Sequence, residues 1–149
     1  MSSDCAKSIG FVIYDSICLL VGAVALRSAA TAEAAEAVAD AAKPVLNKLD
    51  KYVITIAAEE STKTEVALAV YGIVSTIYSG GCLGAVVSAW LGTLSVGDAI
   101  LYGATALGTI LAAVCTDGAA EVGLIVVELA TFGFLIDDSI KCSKACSYA

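Results

Sequence analysis

Along most of this chain apolar residues recur all round the helical turn rather than on one side of it. The exception is the segment 28–61. There Ala35, Val38, Ala42, Val45, Leu49, Tyr52 and Ile56 follow one another at steps of three and four, while Glu33, Glu36, Asp40, Lys43, Asn47, Asp50 and Lys51 cover the other side. That seam predicts a water-facing helix packing through one narrow stripe. Elsewhere charge almost vanishes. Val66 to Gly97 is 32 residues without a charged side chain, and after the single Asp98 a second uncharged run extends from Ala99 to Thr116. Ordinary domains carry about one charge in four residues, so these runs predict helices shielded from water by lipid or by one another.

Helix boundaries can be read in several places. Thr62-Lys63-Thr64-Glu65 has the spacing of a capping box, and so does Ser95-Val96-Gly97-Asp98; each predicts a helix start. Asp117-Gly118, with Glu121 a turn later, predicts another. Pro44 removes a backbone donor and predicts a kink or a split in the 31–60 helix. Gly80-Gly81 divides the long apolar run. With one proline, abundant alanine and no strand-length alternation, the chain predicts helices near 4–27, 31–60, 63–91, 96–115 and 118–145. The expected fold is all-α, a hydrophobic bundle of about five helices (four to six) with no sheet. It forms one domain over 1–149, with its strongly apolar helices at 64–116 and 119–136.

Composition extends this picture. Apolar residues make up 59% and charged residues 15%. A domain of this size buries only about 70% of its unfolded surface, so surplus apolar area should meet a bilayer, an apolar ligand or a second copy of the chain. The net charge is −7 and Arg27 is the only arginine, which argues against nucleic acid as a partner. There is no histidine; Ser-His-Asp and Cys-His nucleophiles are therefore excluded. No catalytic, cofactor or metal motif stands out, and the expectation is a non-enzymatic protein without a cofactor.

Six cysteines, Cys5, Cys18, Cys82, Cys115, Cys142 and Cys146, lack zinc spacing and form an even set. They predict disulfides and an extracellular or otherwise oxidising compartment, or a membrane setting; a cytosolic site fits a thermophile or free thiols. Within one helix Cys5 and Cys18 lie about 20 Å apart, too far to bridge. Five helices running up and down bring Cys5 to Cys115, and Cys82 to Cys142 or Cys146. A break at Pro44 or at Gly80-Gly81 reverses the parity and brings Cys5 to the C-terminal pair.

Four carboxylates stand within or beside apolar sequence: Asp15, Asp98, Glu121 and Glu128. Ionisable groups in apolar helices are costly and draw attention as functional candidates, intramembrane or buried. Asp98 and Glu121 also suit helix starts. Lys7, the run Ile9 to Leu26 and Ala30-Thr31-Ala32 resemble a signal peptide interrupted by Asp15. Gly123 to Ile136, centred on Glu128, resembles the proton-binding helix of rotary-ATPase proteolipid subunits, while the polar 27–63 segment departs from that family. A charge-free core flanked by amphipathic helices is similar in pattern to colicin-like pore-formers. The leading expectation is therefore an oligomeric protein that resides in or inserts into a membrane, pore-forming or structural. The alternative is a disulfide-stapled, soluble or secreted helical bundle that self-assembles or binds an apolar ligand.

Overall fold

Ser2 opens the first helix, its Oγ accepting from the Cys5 N–H at 3.1 Å. Helix α1 then runs Ser3–Val21 and stops at Gly22, whose φ of 73° is left-handed and lets its N–H and that of Ala23 close on the last carbonyls. The computed structural model describes residues 2–115 and 133–148. After α1 come a 3-10 segment, Val24–Ala29, then α2 (Ala32–Ala41), a second 3-10 segment, Lys43–Lys48, and α3 (Asp50–Ala57). Next follow α4 (Lys63–Ser79), α5 (Leu83–Gly92), α6 (Val96–Gly103) and α7 (Ala106–Cys115). The last described helix, α8, is Gly133–Ala145.

The fold is all-α, and no strand occurs among the described residues. Its division differs from the expectation of four to six helices: eight α-helices and two 3-10 segments are present among the described residues. Each long element predicted from hydrophobicity is broken by local backbone chemistry. Gly22 ends α1 at residue 21 rather than 27. Pro44 opens the 3-10 segment that separates α2 from α3. The Gly80-Gly81 pair separates α4 from α5 with a bend of 109°, and α6 meets α7 at 40°. Of the element predicted at 118–145, only the part from 133 lies within the described residues.

These breaks overturn the membrane reading. Among the described residues no single helix is long and apolar enough to cross a membrane, although the two bent pairs have the required length and composition. The apolar run is used internally instead. Val70, Ile73, Val74 and Ile77 of α4, with Val86, Val87 and Trp90 of α5, are buried against the chain's own core. Residence in a bilayer and pore formation both required that surface to face outward, so neither is retained.

Helix α1 is the axis of the molecule, packed between α2 and α8 and touched by α4 and α7. It approaches α2 so closely that a side chain at Gly10 would collide with the Ala35 carbonyl. The seam of the 28–61 segment faces this core: Ala35, Val38, Ala42, Val45, Leu49 and Ile56 are buried, and Tyr52 lays its ring over Gly72. Trp90, fully buried, meets Tyr14 and Tyr102 edge-on at centroid distances of 6.2 and 6.0 Å. Thr62 and Glu65 form the complete capping box that opens α4, with bonds of 3.1 and 2.9 Å.

Candidate functional site

The core holds one charged cluster. Asp15 is fully buried in the middle of α1, where an isolated carboxylate would be prohibitively costly. Its partner comes from the 3-10 segment that follows α1: Arg27 Nε lies 2.9 Å from Asp15 Oδ1. Arg27 also forks onto Asp138 of α8, with Nη2 donating to Oδ2 at 2.9 Å and to Oδ1 at 3.1 Å, and Nε donating to Oδ2 at 3.1 Å. Because the Nε–H is aimed at Asp138, the oxygens of Asp15 receive the charge of the guanidinium without an aligned hydrogen bond from it. Phe11 and Phe134 cover Arg27, their ring centroids 4.3 and 4.8 Å from its central carbon.

Burial, reinforced by the neighbouring carboxyl of Asp138, pushes the Asp15 carboxyl up to about 10 despite the guanidinium beside it. Asp15 is therefore held as the neutral acid, and the guanidinium of Arg27 pairs with the Asp138 carboxylate. Two carboxyls, one proton and one guanidinium sum to zero charge, which makes the cluster tolerable in an apolar interior.

The two carboxylates arrive on matching sequences. Gly10-Phe11-Val12-Ile13-Tyr14-Asp15-Ser16-Ile17 in α1 and Gly133-Phe134-Leu135-Ile136-Asp137-Asp138-Ser139-Ile140 in α8 agree at six of eight positions. In each, a Phe and an Asp one helical turn apart place a ring and a carboxylate on the same face. The single arginine sits between the two copies. Sequence analysis singled out Asp15 and missed Asp138; this internal repeat was the signal that pairs them.

Near the end of the same helix pair lies the disulfide Cys5–Cys146, with Cα atoms 4.7 Å apart. It links the first turn of α1 to the residue just past α8, so the two helices run in opposite directions. Cys5 pairs with neither Cys115 nor a neighbour on its own helix; Cys18, Cys82, Cys115 and Cys142 are free thiols. A disulfide joining positions 141 apart belongs to an oxidising compartment, in accord with the localisation expected from the cysteine count. The free thiol of Cys18 faces the Trp90 indole, and burial pushes it up to about 12. Burial and then the charge of Asp138 push Cys142 to about 12 as well.

The other predicted carboxylates do not join this cluster. Asp98 caps α6, its N–H donating to Ser95 Oγ and its Oδ2 accepting from that hydroxyl at 3.0 Å. Glu121 and Glu128 lie outside the described residues, as does most of the stretch that resembles a proteolipid helix. Among the described residues no group of three or more His, Cys, Asp or Glu side chains is placed to hold a metal ion.

A second feature is on the surface. The charged 28–61 segment was expected to face water, yet α6 is more exposed and has no buried residue. Val96, Ile100 and Leu101 share one stretch of α6 and are 78%, 74% and 65% exposed; Leu107 of α7 is also exposed, at 38%. Beside it runs an open groove of about 240 Å³ lined by Tyr78, Gly81, Leu83, Gly84, Leu107 and Leu111. Comparison with protein-family models, with curated proteins and with solved structures finds no match to this chain.

Proposed function

We propose that this chain is a non-enzymatic, disulfide-stapled helical module of an oxidising compartment that self-assembles through the bent α6–α7 pair. The observation that carries the reading is the exposure of Val96, Ile100 and Leu101 on a helix with no buried residue. Single exposed aliphatics are ordinary, whereas a contiguous group of them marks an interaction surface. The partner is inferred from charge. A molecule of net charge −7 repels its own copies, but from Val66 to Thr116 the only charged residue is Asp98, already engaged in its cap. The α6–α7 pair is therefore the face on which two copies meet with least repulsion. The adjoining groove favours assembly over capture of a small ligand, since ligand pockets usually enclose about 300–1,000 Å³ and this one is smaller and open.

Sedimentation of the wild type and of an Ile100→Glu/Leu101→Glu variant tests the proposal. The wild type should form a dimer or larger oligomer at micromolar concentration, and the variant should sediment as a monomer with an unchanged circular dichroism spectrum. A wild type that remains monomeric at millimolar concentration overturns it.

A further inference from the structure

Three sulfurs meet at the end of α8. Cys142 Sγ lies 3.8 Å from Cys146 Sγ, the sulfur already bonded to Cys5. Reacting atoms in a near-attack arrangement stand about 3–3.5 Å apart, so a small side-chain rotation brings the Cys142 thiol into bonding range. The two ends of the bond differ as leaving groups. Cys5 is the third residue of α1, in the first helical turn, where free N–H groups and the helix dipole favour a thiolate. Cys146 lies beyond the last residue of α8, in a turn where its N–H bonds the Cys142 carbonyl and Ser147 takes a left-handed φ of 55°. This short non-helical end is the part of the backbone best able to adapt to a bridge across one turn.

We propose that Cys142 is a built-in exchange thiol for the Cys5–Cys146 disulfide, able to move the staple from between two helices to the end of one. The Cys142 thiolate attacks Cys146 Sγ, the Cys142–Cys146 bond forms, and the Cys5–Cys146 bond breaks with its electron pair leaving on Cys5. The proton lost by Cys142 ends on Cys5, and no external oxidant or reductant takes part. The product frees the first turn of α1 from α8 while Arg27 still joins the two helices further along. Burial and Asp138 keep Cys142 protonated at neutral pH, so the native linkage is long-lived there and exchange is driven by base. The other groups around the cluster are Tyr148, held protonated to about 12, and Asp50 of α3, which faces Tyr148. Asp15 of α1 begins to ionise only near 10. Tyr148 and Asp15 both keep their protons through most of the range from pH 7 to 9.

Trypsin separates the three cysteines, because Lys7, Lys141 and Lys144 place them in fragments 1–7, 142–144 and 145–149. The full chain is incubated without reductant at pH 7, 8 and 9, quenched in acid, alkylated and mapped by mass spectrometry. The expected result is loss of the 1–7 to 145–149 linkage, gain of a 142–144 to 145–149 linkage, and alkylation of Cys5. The rate should rise about a hundredfold from pH 7 to 9, following the thiolate fraction, and should not depend on protein concentration. Cys142→Ser should abolish the change, with circular dichroism verifying its fold; the pH and concentration dependence of the wild type stands without it. An unchanged linkage after a day at pH 9, a rate proportional to protein concentration, or a 1–7 to 142–144 product overturns the proposal.

Discussion

Helix α1 and the bent α6–α7 pair reverse what their compositions suggest. The apolar stretch of α1 is interrupted by a carboxylate, and it is the most enclosed element of the molecule. The α6–α7 pair belongs to the least charged part of the chain, and α6 has no fully buried residue, only Tyr102 resting on the core. Freedom from charge does not by itself send a helix inside. What does is a complementary set of neighbours: α1 has α2 lying close at Gly10, α8 matching it through a repeated octapeptide, and Arg27 balancing the charge of the carboxyl pair. Helix α6 has contacts chiefly to α5 and α7. Its other face is left for an external surface, which is the basis of the assembly proposed above.

The contrast can be broken most forcefully at Arg27. Arg27→Met leaves Asp15 and Asp138 facing each other without a cation, and loss of one partner from a buried ion cluster costs about 3–5 kcal/mol. Urea denaturation should show that loss in the midpoint; a shift below about 1 kcal/mol would mean that the packing of α1 owes little to the cluster. Cys5→Ser removes the link between the ends of α1 and α8. Disulfides closing long loops contribute about 2–5 kcal/mol, and hydrogen exchange should place the added opening in α1 and α8 rather than in α6 and α7.

Asp15→Asn sharpens the comparison through pH. The folded-state carboxyl titrates near 10, against about 3.9 in an unfolded chain. The folded state thus binds the extra proton between those values, and stability contributed by this group falls as pH rises from about 4 to about 10. Asparagine carries no such proton. The variant's melting temperature should therefore gain on that of the wild type steadily from pH 5 to pH 9, and parallel curves would remove the protonated Asp15 from the account. The smallest effect belongs to α6: Ile100→Glu and Leu101→Glu should each alter monomer stability by no more than about 0.5 kcal/mol, measured by denaturation at low protein concentration. Ile73→Ala, in the enclosed part of the core, should cost about 2–5 kcal/mol.

Helical class, the Thr62–Glu65 cap and the break at Pro44 were legible because each depends on residues within one turn of one another. The stop at Gly22 was missed because the apolar pattern on either side of it, from Ser16 to Leu26, outweighed a single glycine. Outer and inner faces of α4 and α5 were not legible: helices apolar nearly all round carry little asymmetry to say which side meets the core. The same limit produced the membrane expectation, since hydrophobicity records reluctance to meet water and not what replaces it. Asp15 drew attention as a misplaced charge, but its partners stand 12 and 123 residues away, and no local pattern joins them. Only comparison of the chain with itself, Phe11-Val12-Ile13-Tyr14-Asp15 against Phe134-Leu135-Ile136-Asp137-Asp138, carries that pairing.

The position of the Cys5–Cys146 bond also sets how the molecule bears load. Tension applied through the segments flanking Cys5 and Cys146 passes from one to the other across a covalent link whose Cα atoms are 4.7 Å apart. The helices between them carry none of it. Under stretching the enclosed core is mechanically bypassed, and extension waits on chemistry at sulfur rather than on unfolding.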